Sequence, residues 1–169
     1  MTRDERFMQA AIEQARLAAS IGETPVGAVV VRAGEIIAAG YNRRESDRNA
    51  LRHAELIAID NACRALGGWR LIGCELYVTL EPCPMCAGGI INSRIERVVY
   101  GAADPKAGCA GSVCDLFSLP FNHMPKVERG VLQQECAALL SDFFRSLRAQ
   151  KREAARKSAP PVAEGEKGI

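Results

Sequence analysis

A chain of 169 residues, 48% hydrophobic and 25% charged, is long enough to close one hydrophobic core and short for two. No apolar run approaches the ~20 residues of a membrane-spanning helix, and Met1 to Arg6 mixes acids with bases where a secretory signal would be apolar. Net charge is only +2, and seven cysteines, an odd number without a regular framework, point to metal binding or catalysis in a reducing, cytoplasmic compartment before a disulfide scaffold.

From Glu5 to Ser20, apolar residues such as Phe7, Met8, Ala11, Ile12 and Ala15 recur at helical spacing and stop at Gly22, which predicts a first helix. Pro25–Val31 and Glu35–Tyr41 are strand-like runs joined by Arg32-Ala33-Gly34, a hairpin pattern. A polar loop from Asn42 to Asn49 leads to a second helix over Leu51–Leu66, ended by Gly67-Gly68. A strand over Glu75–Leu80, a short helix over Cys83–Asn92 and a strand over Arg97–Gly101 follow, with Val127–Leu132 a candidate fifth strand. Gln134–Arg152 is amphipathic through Cys136, Leu139, Leu140, Phe143, Phe144 and Leu147. The alternation predicts an α/β fold, a three-layer α/β/α sandwich around a mixed five-stranded sheet. The folded domain is expected over residues 1–152, with residues 153–169 a basic and then disordered tail.

Charge is unevenly placed along this plan. Residues 145–157, RSLRAQKREAARK, hold six bases and one acid, while residues 1–144 sum to −2. A solvated helix end complementing the C-terminal dipole and a contact with nucleic-acid phosphates both fit this segment.

The chemistry gathers around TLEPCPMCAGG, residues 79–89. Cysteines at i and i+3 share a helix face, so Cys83 and Cys86 can hold one ion, at a helix start whose unpaired N–H groups favour thiolate. Pro82 and Pro84 suit that entry. A closed structural zinc site would need a fourth strong ligand, and a second C-x-x-C is absent. His53, one of two histidines, stands at the predicted start of the second helix with Glu55 two residues on. One imidazole, two thiolates and a position left for water describe a catalytic zinc, with Glu55 placed to move a proton. Mid-helix, residues two apart diverge by about 200°, so His53 is expected at or near the cap and Glu55 just inside. Taken singly, the C-x-x-C also fits a redox pair or two buried cysteines. Together the residues read H-x-E…P-C-x-x-C, the pattern of zinc-dependent nucleobase deaminases, those of tRNA included.

On these residues the chain resembles the bacterial tRNA-specific adenosine deaminases, members of the cytidine and deoxycytidylate deaminase superfamily that form inosine at the anticodon wobble position. The likeness runs from about Glu5 to about Gln150 through ETPVGAVVV (23–31), GYNR (40–43), HAE (53–55), the long block from Leu76 to Ser112, Asn122-His123 and SDFFR (141–145). It implies a cytidine-deaminase-like fold, one Zn2+ per subunit on His53, Cys83 and Cys86, and Glu55 as proton shuttle. It implies further that Asn42 hydrogen-bonds a flipped base, that Asp104 and Lys106 contact the anticodon loop, and that His123, Phe144 and Arg145 lie near bound RNA. The implied partners are a tRNA anticodon stem-loop, that of an arginine tRNA, and a second copy in a homodimer. Read from the residues alone, Asn42 is equally a turn asparagine and Lys106 a solvated loop lysine. The chain departs from the family before the histidine, where Asn49-Ala50-Leu51-Arg52 replaces the usual Asp-Pro-Thr-Ala and alters the loop. The competing expectations are the same chemistry on a free base or nucleoside, of guanine or cytidine type, and a non-catalytic zinc module that binds RNA.

Overall fold

A computed structural model describes residues 1–158, and in it the elements are α1 (Arg3–Ser20), β1 (Gly27–Arg32), β2 (Glu35–Tyr41), α2 (Ala54–Leu66), β3 (Cys74–Leu80), α3 (Pro84–Asn92), β4 (Arg97–Ala102), β5 (Lys126–Arg129) and α4 (Gln133–Ser158). The strands form one sheet in the order β2-β1-β3-β4-β5. β1 runs antiparallel to both β2 and β3, while β3, β4 and β5 are parallel, so the sheet is mixed. Ala33 and Gly34, with φ of 51° and 82°, make the two-residue hairpin turn whose twist suits the flanking strands.

Alternation along the strands divides the core. Ala28, Val30, Leu76, Val78 and Val98 face α2 and α3, packing on Ala54, Ala58, Ala62 and Ile90. Val29, Val31, Tyr77 and Val99 face the other way, onto Phe7, Met8, Ala11 and Ile12 of α1 and Cys136 of α4. β3 and β4 are covered on both faces, which is why their apolar runs are nearly continuous. Two glycines let helices lie unusually close. A Cβ on Gly27 would strike the Ala11 carbonyl and the Ala15 amide, and one on Gly40 would strike the Ala54 carbonyl and the Ala58 amide. The second contact fixes the first turn of α2 against the sheet.

Three boundaries differ from the sequence expectation by three residues or more. α2 starts at Ala54 and not Leu51, because Asn49 turns the chain by accepting the Leu51 amide on its side chain (2.9 Å) and the Arg52 amide on its carbonyl (3.1 Å). β5 ends at Arg129, since Gly130 and Leu132 take positive φ (78° and 50°) and turn the chain into α4. α4 continues past Arg152 to Ser158, so residues 153–158 belong to the helix; Glu-Ala-Ala-Arg-Lys is good helix-forming sequence, and Lys157 pairs with Glu153 at 2.7 Å. The rest of the expected tail, residues 159–169, lies outside the described residues.

At the edge where β3 and β4 begin, Arg97 donates to Asp4 (2.6 and 2.9 Å), Glu75 (3.0 Å) and the Tyr77 hydroxyl (3.1 Å), and Arg3 also holds Glu75 (2.6 Å). These guanidiniums hold the Asp4 and Glu75 carboxyls down at about 2, Asp4 mainly through Arg97 and Glu75 mainly through Arg3. The network pins α1 to the sheet at the edge opposite the functional residues.

Candidate metal centre and active site

At the other edge of the sheet β3 ends at Leu80, and Glu81-Pro82 carries the chain to Cys83, the N-cap of α3 with Pro84 in its first turn. His53 is the N-cap of α2. Both cap residues are extended (His53 φ −78°, ψ 151°; Cys83 φ −75°, ψ 173°), and neither side chain makes the usual capping hydrogen bond. They turn instead toward each other. His53 Nδ1 lies 3.6 Å from Cys83 Sγ and 3.5 Å from Cys86 Sγ, and all three donor atoms sit within 4.8 Å of one another. Bonds of ordinary length to a tetrahedral zinc place nitrogen and sulfur about 3.6 Å apart. The spacing therefore fits that ion. The extended cap also resolves the angular problem of His-x-Glu, because His53 stands outside the regular helix that orients Glu55.

The electrostatics of the donor set match such a role. The hydrogen bond from the Cys86 thiol, then the one from His53, draw the Cys83 thiol down to about 4 against the effect of burial. Cys86 is pushed up by its bond to Cys83 and by burial, so one proton serves both sulfurs. The Cys83 sulfur raises the His53 imidazole, burial opposing. Glu55, 4% exposed, is pushed up to about 7, chiefly by burial.

These residues open on a cavity of about 220 Å³, walled also by Thr24, Val26, Asn42, Arg44, Glu81, Asp104 and Ala107. That is below the ~300 Å³ floor for drug-sized ligands and suits one heterocycle. Asn42 is a turn residue whose side chain also lines the cavity. Its amide nitrogen donates to the Thr24 carbonyl (3.2 Å), its oxygen accepts the Arg44 amide (3.1 Å), and its side chain lines the cavity. Asp104 also lines the cavity, and Lys106, exposed between Asp104 and Ala107, is outside its lining. The structure does not bring the remaining three sequence candidates to the cavity. His123 bonds the Ile95 carbonyl (2.6 Å) ahead of β4, at the far edge of the sheet. Phe144 and Arg145 lie on α4, against the other face; Phe144 is 41% exposed and meets Phe143 edge-on at 5.4 Å, and Arg145 pairs with Asp142 at 3.0 Å.

The altered loop has its own fastening. Asp47 sits between Arg43 and Arg52, 2.9 Å from each, and Glu23 accepts the Ser46 amide at 2.6 Å. Sequence reasoning passed over Glu23 and its counterpart Glu81, both 1% exposed. A signal was present, since each is an acid inside an otherwise apolar or small-residue block, where burial demands partners.

A mixed sheet with His53, Cys83 and Cys86 gathered at two helix starts defines a zinc-dependent deaminase. Residues 1–102 match the family model described as the cytidine and deoxycytidylate deaminase zinc-binding region, and the chain belongs to that family. Its cofactor is zinc. Within the family, the chain is 54% identical over 159 residues to the tRNA-specific adenosine deaminase of Bacillus subtilis, covering 94% of this chain and 98% of that one. It is similar, at 46% identity and a TM-score of 0.78 over 80% of this chain and 99% of the other, to a solved structure from studies of A-to-I editing by tRNA:A34 deaminases at the wobble position of transfer RNA. The guanine deaminase from Nitrosomonas europaea shares the fold at 28% identity, with a TM-score of 0.68 over 82% of this chain and 83% of that one.

Proposed function

We propose that the protein hydrolyses adenosine to inosine at the wobble position of tRNA anticodon loops. The observation that carries this reading is a buried carboxylate, Glu55, set beside a three-donor zinc site in a base-sized cavity, in a chain so similar to a tRNA-specific adenosine deaminase along nearly its whole length. When bound to His53, Cys83 and Cys86, zinc supplies the Lewis acidity that makes water a nucleophile near neutral pH. Glu55 takes the proton that water gives up and delivers it to N1 of adenine as the oxygen adds to C6. It then passes the second proton to the departing ammonia, so water and adenosine yield inosine and ammonia with no covalent enzyme intermediate. A carboxyl raised toward neutrality suits both directions of transfer.

An adenine stacked in a loop cannot reach this cavity, so the nucleotide is splayed out and buried, with Asn42 hydrogen-bonding its edge. Asp104 and Lys106 hold the anticodon loop at the rim. Arg145, Arg148, Lys151, Arg152, Arg156 and Lys157 on α4 offer phosphate contacts, with the exposed Phe144 beside them. The substrate is an arginine tRNA, and the enzyme works in the cytoplasm. Exposed Val113, Leu119, Phe121 and Met124 on one segment support a face covered by a second copy in a homodimer.

Incubating the zinc-loaded protein with unmodified arginine tRNA, and separately with free adenosine, guanine and cytidine, then mapping products by mass spectrometry, tests the reading. Inosine at the wobble position is expected, with the free compounds left intact. Turnover of a free compound alone would overturn it.

A further inference from the structure

Glu81 takes no part in the chemistry above, yet it is a carboxylate 1% exposed on the wall of the cavity. It follows β3 directly, and its own amide donates to the Ala102 carbonyl at 2.8 Å, so its backbone is locked to the end of β4. Its Oε2 accepts the Asp104 amide (2.9 Å) and the Ser112 hydroxyl, and its Oε1 accepts the amides of Ala110 (2.9 Å) and Ser112 (3.0 Å). A carboxylate has about four lone-pair sites, so all of them are used. Every donor comes from a single loop. Gly108 of that loop lies so close that a Cβ there would strike the carboxylate.

The loop is the wall on which the proposed RNA contacts stand. Asp104 Oδ1 accepts the amides of Lys106 (3.0 Å) and Ala107 (3.2 Å), a tight turn that leaves Lys106 exposed while Asp104 and Ala107 line the cavity. Between β4 and the bridge at Ala110–Asp115 the loop has no sheet partner, and the Glu81 anion takes the place of one. We propose that Glu81 is a positioning residue, an anion on the rigid end of β3 that holds residues 104–112 in the shape that grips the RNA substrate. The proposal rests on the tRNA reading above. Glu81 acts through the loop and touches no reacting atom.

Glu81→Gln tests this at the level of one acceptor. With the amide oxygen in the place of Oε1, the Ala110 and Ser112 amides keep their partner, and the Ser112 hydroxyl can rotate to accept from the new NH2. Only the Asp104 N–H then loses its acceptor, whereas the reverse orientation would orphan two amides. The substitution therefore frees the cavity end of the loop. KM for an anticodon stem-loop is expected to rise about tenfold, equivalent to about 1.4 kcal/mol. kcat should change less than about twofold, since the groups that move protons are untouched. Zinc should stay at one ion per chain. In an Asp104→Ala background, Glu81→Gln should add almost nothing, because both act on the same contact. Ser112→Ala, which removes one donor and leaves the carboxylate in place, should give a smaller rise in KM and serves if the Glu81 variant does not fold. An unchanged KM in both variants, a loss expressed as lower kcat with lower zinc content, or effects that multiply in the double variant would overturn the proposal. A wild-type protein that fails to deaminate the stem-loop would instead remove the reading beneath it.

Discussion

Replacing Glu55 with glutamine removes the proton carrier while keeping its volume and its capacity to hydrogen-bond. The side chain is 4% exposed, and the other acids on the cavity are already committed, Glu81 to four donors and Asp104 Oδ1 to two amides. Positioned proton transfer is worth about 10²–10⁴ in rate, and Glu55 serves on both the way in and the way out, so the upper part of that range applies. kcat should fall about 10³–10⁴-fold, or about 4–5.5 kcal/mol on the barrier. Stem-loop affinity and zinc content should be unchanged, because the exchange leaves the zinc donors and the phosphate-binding surface as they are. Single-turnover formation of inosine, with zinc measured by atomic absorption and binding by fluorescence anisotropy, separates the three quantities. A variant within tenfold of the wild-type rate with its zinc intact would refute the proton-carrier role.

Cys86→Ala leaves two donors where three converge within 4.8 Å, so zinc affinity should fall by more than the ~10–100-fold typical of losing an outer-shell partner. The rise in melting temperature on adding zinc to the metal-free wild type should vanish with it, and a preserved rise would contradict the assignment. Gly40→Val should cost about 1–3 kcal/mol and lower activity, because its Cβ meets the Ala54 carbonyl and the Ala58 amide and displaces the turn that carries His53 and Glu55. Gly88→Ala, with open space beside it in α3, should raise stability by about 0.5–1 kcal/mol; urea titrations of the pair check both signs. Asp4 and Glu75 ionise at about 2 in the folded protein against ordinary values of 3.8 and 4.5. Depressed folded values mean that their contribution is complete above about pH 5 and lost as pH falls toward about 2. Arg97→Met should therefore cost about 1–3 kcal/mol at neutral pH and flatten the acid limb of stability, measured by urea unfolding of metal-free protein at about pH 7 and pH 3.5. Parallel acid limbs in the two proteins would sink this account.

Most elements were legible because their signals are local. Apolar residues repeating every three or four positions place α1 on the sheet, and the continuous run in Leu76–Val78 reflects a strand covered on both faces. The boundaries that slipped did so where a tertiary or side-chain contact outweighed local preference. Asn49 draws the chain into a turn, so α2 waits until Ala54. Likewise positive φ at Gly130 and at Leu132, the latter without a turn preference of its own, closes β5 early. The same rule governs the site. Cys83 and Cys86 are a helical i, i+3 pair, and His53 announces itself through scarcity, so the zinc donors could be found by spacing and residue type.

The two walls of the cavity could not be found that way, and the reason is physical. Glu23 reaches the Ser46 amide and Glu81 reaches Asp104, Ala110 and Ser112, partners separated by 23 to 31 positions, and separations of that size carry no periodicity. What betrays such residues is cost. A carboxylate without a partner is among the most expensive groups to bury, so an acid lodged in a run of small and apolar residues must be collecting donors from somewhere. In this chain the collected donors belong to loops that frame the cavity. The metal donors and Glu55 sit on helix starts braced by the sheet, where position must be kept to fractions of an ångström. The loops that wall the cavity have no ladder of their own, and each is tied to one buried carboxyl group. That division explains why the residues before His53 can depart from the usual Asp-Pro-Thr-Ala without disturbing the zinc donors. The loop is shaped by Glu23 and by Asp47 between Arg43 and Arg52, while His53 is placed by α2 and by the close approach at Gly40.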